Sequence, residues 1–127
     1  MRNSLFTPIF VLVLTFSFTL WNSFHVQKNT AYWSETLQQA VMYVQSENWI
    51  SAQDTMNQSY EDWNRKQTYL HIVLEHDAID DADAMFRRAF AFVKTQDSQE
   101  LQAELADLID QLNLLAETER LSLKNVL

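Results

Sequence analysis

The residues with the most chemical potential lie in one short stretch, His71-Ile-Val-Leu-Glu75-His76-Asp77, with Asp80 just beyond it. On a continuous helix, His71 and Glu75 would lie four residues apart on one face, a spacing at which imidazole and carboxylate bind a divalent metal. Alternatively, His71 and Glu75 form a surface pair, while His76 and the aspartates serve a turn and a helix cap. A two-metal helical site needs ligands from several helices. The other predicted helices have no histidine, so we favour the surface pair and predict neither metal nor cofactor.

Aromatic side chains are concentrated in the two predicted helices on either side of the polar stretch Ser46-Glu47-Asn48. Trp33, Trp49 and Trp63 lie there together with tyrosines. They can line a ligand pocket or pack in a core or interface. Several fall on predicted apolar stripes, which favours packing, and we expect the three tryptophans to contribute to a partner-contact surface.

The composition excludes several classes of protein. The chain has no glycine, so it cannot contain a glycine-rich phosphate loop or a dinucleotide-binding fingerprint. It has no cysteine, which excludes disulfides, thiol catalysis and cysteine-ligated zinc. Its net charge of −8 argues against nucleic acid, whose binding needs clustered Lys and Arg. Serine, histidine and aspartate occur without a nucleophile elbow, so we expect no enzyme.

The first apolar run, which we call the apolar segment, extends from Leu5 to Trp21 and contains no charged residue. A helix of this length spans about 25 Å, and extension to residues 3–24 approaches the roughly 30 Å of a hydrocarbon core. A buried core helix and a cleaved signal peptide are the alternatives to an uncleaved signal anchor. We favour the anchor, because Thr19-Leu-Trp21 and the residues after it lack a small-residue cleavage site.

The charges around the apolar segment predict an orientation. Arg2 precedes it and Lys28 is the first basic residue after it. The positive-inside rule then places the N-terminus in the cytoplasm. The predicted domains are a cytoplasmic terminus at 1–4, a transmembrane signal anchor at 5–24 in contact with membrane lipid, and an extracytoplasmic helical domain at 25–127, all in a single-pass protein of the cell membrane.

The periodicity of the rest predicts helices joined by short turns. A first helix over residues 30–45 would be capped by Asn29 or Thr30, and a second would start at Trp49, capped by Asn48, and continue for about 26 residues. The fold class is therefore all-α: an N-terminal transmembrane helix, with Pro8 in its first turn, followed by a small antiparallel bundle of three to four helices.

A phase slip in the apolar stripe predicts a turn between Glu75 and Ala78, with Asp77 capping a third helix. Asp97-Ser-Gln-Glu100 resembles a capping box at the start of a fourth helix. That helix should end near Glu119.

The C-terminal residues alternate between polar and apolar side chains and do not resemble a free polar tail. They fold back over the end of the bundle or dock on a partner, and the partner contacts would be Leu121, Leu123, Val126 and Leu127. The serines and threonines of the apolar segment also leave a homo-oligomer open.

Together, these features resemble a known family. The carrying residues are Glu47-Asn-Trp49-Ile-Ser-Ala52, Trp63-Asn-Arg-Lys66, Glu75-His-Asp77 and the ending Leu121-Ser-Leu-Lys-Asn-Val-Leu127, after a short apolar span. The family is that of small membrane proteins catalogued as domain of unknown function 4363, from spore-forming Gram-positive bacteria. The resemblance transfers no catalytic residue, and it implies a neighbouring multi-pass membrane protein, of the family called domain of unknown function 421, as partner.

We therefore expect a non-enzymatic, membrane-anchored accessory or scaffolding subunit that contacts a larger membrane protein. The alternative is an extracytoplasmic sensor or binding module for a small ligand or a divalent cation.

Overall fold

The computed structural model of the chain describes the backbone of residues 2–126 and the side chains of residues 4–125. Every regular element within that range is an α-helix, which confirms the all-helical prediction. The five helices are α1 (Arg2–Gln45), α2 (Trp49–Arg65), α3 (Gln67–Val73), α4 (His76–Lys94) and α5 (Ser98–Val126).

Helix α1 is 44 residues long and joins the apolar segment to the first predicted core helix without a break. The predicted helix start near residue 30 is therefore wrong. Asn29 and Thr30 are buried within α1 and do not cap it. No glycine or proline lies between Trp21 and Trp33, and the buried face of α1 continues through these residues at helical spacing. Pro8 also lies inside the helix and not in its first turn.

Helices α2 and α3 replace the long second helix of the prediction. The backbone turns at Lys66 (φ −97°, ψ 7°), whose amide donates to the carbonyl of Trp63, three residues earlier. Helix α3 then ends at Val73, and Leu74 is extended. The predicted turn is present, but Glu75 and not Asp77 is the residue that precedes α4, and it makes no side-chain capping bond.

The other two turns are alike in geometry. Glu47 (φ 60°) follows α1 and Gln96 (φ 53°) follows α4, both in the left-handed region that glycine usually occupies. The amides of Asn48 and Asp97 donate to carbonyls five residues earlier, and their side chains accept from the amides of the next helices. Asn48 and Asp97 are thus confirmed as caps.

Hydrogen bonds between side chains fix how the helices pair. Asn29 of α1 contacts Lys66 after α2, Gln45 of α1 contacts Gln102 of α5, and Arg88 of α4 contacts Glu104 of α5. Gln27 of α1 also contacts Ala116 of α5, and Ala78 of α4 contacts Gln111 of α5, so α5 runs antiparallel to both α1 and α4. The core between them is apolar: Trp33, Leu37, Ala40, Val44, Ala52, Met56, Trp63, Leu70, Ile79, Ala82, Phe86, Ala89, Val93, Leu101, Leu105, Leu108, Leu112 and Leu115.

Helix α5 continues to Val126 and does not end near Glu119. The expected fold-back of the C-terminal residues is therefore wrong, because they extend the helix along its own axis. The helical domain has two ends. The proximal end faces the apolar segment and contains Trp21, His25, Tyr69 and Glu119, and the distal end contains the turns at 46–48 and 95–97.

Candidate functional site

The aromatic cluster of the first two predicted helices is mainly a core feature. Trp33 and Trp63 are 1% and 0% exposed and pack edge to face, with ring centroids 5.1 Å apart. Neither can touch a partner, so their predicted place on a contact surface is wrong. Both indoles lie on the inward stripes of their helices, which buries them. Trp49 is half-buried at the start of α2 and packs against the same core.

A buried carboxylate closes the contact between α1 and α2. Oδ2 of Asp62 accepts hydrogen bonds from Nε1 of Trp33 (2.8 Å) and Nζ of Lys66 (2.9 Å), and Oδ1 accepts from Arg65 (2.9 Å). Burial acts to raise the pKa of Asp62, but these hydrogen bonds outweigh it and hold the pKa below its ordinary value. A carboxylate so fully engaged stabilises the fold and is a poor proton acceptor.

The polar cluster extends from Asp62 across the helix interface. Nζ of Lys66 also donates to Oδ1 of Asn29 at 2.8 Å, and the hydroxyl of Ser59 donates to the carbonyl of Trp33. Nδ2 of Asn29 is buried and has no hydrogen-bond partner. The sequence offered a signal for this cluster, since Asn29 and Asp62 are polar residues at positions where the stripes call for apolar ones.

The predicted metal candidates do not assemble as the spacing suggested. His71 lies on α3, whereas Glu75 lies after the extended Leu74, so the two do not share a helix face. His71 instead contacts His76 at the start of α4, with 2.7 Å between the two Nδ1 atoms. Asp80 is exposed on α4. Within residues 4–125, no three His, Cys, Asp or Glu side chains lie close enough to hold a metal ion.

The proximal end brings together residues that the sequence analysis missed. Trp21 stacks on His25 (ring centroids 5.0 Å), and His25 meets the edge of Tyr69 (5.8 Å). The hydroxyl of Tyr69 donates to Oδ1 of Asn22. Burial, followed by the charge of Glu119, raises the pKa of Tyr69, and burial also raises the pKa of Glu119. Tyr69 and Glu119 are distant in sequence from Trp21, Asn22 and His25, so only the helix pairing brings them together.

A groove lies between α1 and α5 on the outer surface of the domain. Its volume is about 420 Å³, within the range of small-molecule pockets, although it is open to solvent. It is lined by Gln38, Val41, Gln102, Ala106, Ile109 and Asp110.

The C-terminal contact candidates lie on the last turns of α5. Leu121 is 51% exposed and Leu123 is half-buried. The side chain of Val126, and Leu127 altogether, lie outside the described residues. The exposure of Leu121 leaves its contact with a partner a prediction.

Among the described residues, the side chains of the apolar segment are almost all exposed. Within the described residues, one helix is long and apolar enough to cross a membrane, and none of its most apolar window is buried. Length and composition do not separate such a helix from a signal sequence or from a core helix of a soluble protein.

The comparisons with known proteins agree with the structural boundary in α1. A search of curated proteins and a search of solved structures each found no match. A family model described as "Domain of unknown function (DUF4363)" matches residues 20–126. The match begins where α1 passes from its exposed half to its buried half at Asn22, and it leaves most of the apolar segment outside. The chain therefore belongs to the DUF4363 family.

Proposed function

We propose that this protein is a non-enzymatic, membrane-anchored accessory subunit, whose helical domain lies outside the cytoplasm and contacts a larger membrane protein. One observation carries the proposal: α1 continues without interruption from the exposed apolar segment into the buried core. The apolar segment and the domain therefore share one continuous helix, and a partner that binds either one lies close to the other.

The exposure of the apolar segment supports the anchor. Its large side chains, such as Phe6, Leu12 and Phe18, are exposed and are not covered by any other described residue. Leaving this much apolar surface in water is costly, at about 25 cal/mol per Å², whereas lipid or partner helices would remove the cost. The multi-pass partner implied by the family resemblance, of the kind called domain of unknown function 421, would supply such helices.

The buried chemistry supports a non-enzymatic role. Asp62 is the most deeply buried carboxylate of the domain, and Trp33, Arg65 and Lys66 already occupy its oxygens. A substrate would have to displace these hydrogen bonds in order to use it as a base.

Membrane extraction tests the anchor. The full-length protein should stay with the membrane fraction in alkaline carbonate, and Leu12→Arg should release it, because a charged side chain near the bilayer centre costs about 3 kcal/mol. Met42→Arg is the matched control, since Met42 is equally exposed but lies on the domain. A mature N-terminus that maps beyond Trp21 would show cleavage and would overturn the anchor.

Co-purification tests the accessory role. A tagged full-length protein, extracted from native membranes in mild detergent, should retain a stoichiometric multi-pass membrane protein. The Met42→Arg control should retain it as well. Recovery of the protein alone, or only with further copies of itself, would overturn the accessory-subunit proposal.

The groove between α1 and α5 favours the alternative, an extracytoplasmic binding module for a small ligand. Ala106→Trp would fill the groove, and Asp107→Trp is an exposed neighbour on the same helix that would not. A ligand that raises the melting temperature of the wild type and of Asp107→Trp, but not of Ala106→Trp, would establish this function.

The contact between His71 and His76 allows a test of the alternative function in which the bound ligand is a divalent cation. Zinc should raise the melting temperature of the wild type, and His76→Ala should abolish the shift. An unchanged melting temperature of the wild type in zinc would exclude divalent-cation binding at these histidines.

A further inference from the structure

We infer that the proximal end of the helical domain contacts lipid. The α3–α4 turn and the last turns of α5 lie in the interfacial layer of the bilayer. This inference rests on the proposed anchor, because it assumes that the apolar segment crosses a membrane. It adds a second attachment, through parts of the chain that are distant from the apolar segment in sequence.

The first step is the path of α5. Nε2 of Gln27 donates to the carbonyl of Ala116 at 2.7 Å, and Arg120 donates to Oε1 of Gln27 at 3.3 Å. Helices α1 and α5 run antiparallel, and each rises about 1.5 Å per residue. Ten residues beyond Ala116, the end of α5 lies about 15 Å further along, beside the last turns of the apolar segment. Thr19 and Leu123 are both half-buried, which agrees with this placement.

The second step is the path of α3. Tyr69 contacts Asn22 and His25, so α3 already lies at the end of the apolar segment. Ile72 lies about one further turn along the same helix, and the α3–α4 turn follows at once. Two separate parts of the domain, the end of α3 and the end of α5, thus lie at the proximal end.

The third step is the chemistry of the side chains at that level. Ile72 is 77% exposed, and Leu121, Trp21 and Phe24 are also exposed. Tryptophan at the end of an apolar helix is typical of a membrane interface, where the ring is apolar and its N–H can meet water or headgroups. The proximal end therefore presents apolar side chains where the bilayer surface would be.

Basic side chains lie among these apolar ones. Lys28, Arg120 and Lys124 are exposed on α1 and α5. Long basic side chains can bury their methylene groups in the interface while their charges reach the lipid phosphates. This pattern matches a lipid headgroup layer better than it matches an apolar protein partner.

This surface also carries acidic side chains: Glu75 and Asp77 are exposed at the α3–α4 turn, and Glu117 and Glu119 lie on α5. Glu119 is half-buried beside Tyr69, and its burial raises its pKa, so the uncharged form is more accessible there than at an exposed site. Glu117 is exposed and pairs with Arg120 at 3.5 Å, which offsets its charge.

The absence of cysteine from the chain permits a clean test by single-cysteine labelling. Full-length variants Ile72→Cys and Ile50→Cys form a matched pair, because Ile50 is 78% exposed but lies at the distal end. Each variant is labelled with a nitroxide and reconstituted in vesicles of phosphatidylcholine and phosphatidylglycerol. Collision with oxygen, which dissolves in lipid, is then compared with collision with a water-soluble nickel chelate.

We expect the oxygen-to-nickel ratio to be severalfold higher at Ile72→Cys than at Ile50→Cys. Leu121→Cys should resemble Ile72→Cys and supplies an independent position. Both replaced side chains are exposed, so circular dichroism should report an unchanged helical content.

Leu12→Cys, within the apolar segment, separates this inference from the anchor on which it rests. A lipid-like ratio at Leu12→Cys together with water-like ratios at both proximal positions would overturn the lipid contact and leave the anchor intact. A water-like ratio at Leu12→Cys would overturn the anchor itself. Shielding of Ile72→Cys from both reagents would show a protein contact at the proximal end and would also overturn the inference.

Discussion

The indole Nε1 of Trp33 donates a 2.8 Å hydrogen bond to Oδ2 of Asp62, a residue that lies 29 positions later on the neighbouring helix. This bond joins α1, which contains the apolar segment, to α2, which packs against it. The oxygens of Asp62 also accept hydrogen bonds from Arg65 and Lys66, so this carboxylate adds polar contacts to the apolar packing between α1 and α2.

Removal of this carboxylate should destabilise the protein. We expect Asp62→Ala to lower the free energy of unfolding by about 3 kcal/mol, because it leaves the Trp33 N–H and the Lys66 ammonium without their buried acceptor. Urea unfolding of the full-length protein in mild detergent, followed by circular dichroism, measures the change. Asp54→Ala, an exposed aspartate on the same helix, should change the stability little. Equal losses in both variants would contradict this role.

The pH dependence of stability should carry opposite signs at two sites. The pKa of Asp62 is lowered in the folded protein, so its contribution is present above its ordinary pKa and is lost as pH falls through the lowered value. The pKa of Glu119 is raised, so its ionised form costs stability at neutral pH, and that cost disappears as pH falls through the raised value.

Glu119→Gln should therefore raise the melting temperature at neutral pH, and the gain should vanish as pH approaches the ordinary pKa of a glutamate. A thermal melt across this pH range checks the prediction. Asp107→Asn, an exposed site on the same helix, serves as the control. A gain that grows as pH falls would have the wrong sign.

The two turns with a positive φ, after α1 and after α4, should become more stable when glycine is introduced. Glu47 and Gln96 have positive φ, where a side chain with a Cβ costs about 1 kcal/mol. Glu47→Gly and Gln96→Gly should each raise the free energy of unfolding by about that amount. Glu47→Ala is the control, since alanine keeps the Cβ and should give no gain. A loss of stability on either glycine substitution would argue against the left-handed conformation at that site.

The continuity of α1 makes a sharp prediction at Lys28. This residue is exposed, so Lys28→Ala should be nearly neutral, but Lys28→Pro should cost about 3 kcal/mol because proline breaks a helix interior. If a new helix began near residue 30, proline at position 28 would be tolerated instead. Circular dichroism and thermal melts of the two variants distinguish these outcomes.

The end of α5 should be dispensable for folding. The core residues of α5 end with Leu115, with Ala116 buried just beyond, so a chain that stops after Arg120 should keep its cooperative transition and nearly its melting temperature. A chain that stops after Asp110 loses Leu112 and Leu115 and should unfold. If the shorter truncation also abolished cooperative melting, the C-terminal turns would belong to the folding core.

Local patterns in the sequence determined the helices and two of their caps. The 3–4 spacing of apolar residues placed the inward stripes, including Trp33 and Trp63, and the side chains of Asn48 and Asp97 marked two helix starts. These features depend on residues within about one turn of each other, and a linear pattern contains that information. The apolar segment was equally visible, because it is a property of composition.

Tertiary structure determined the features that depend on contacts between helices. Helix α1 proved continuous, since Asn22 and Asn29 pack against residues that follow α2 and so stabilise turns that local signals would end, and α5 also proved longer than expected. The polar contacts of Asp62, Tyr69 and Glu119 join residues tens of positions apart, and no spacing along the chain encodes such pairs. The proximal end, with its exposed Ile72 and Leu121, exists only once the helices are paired.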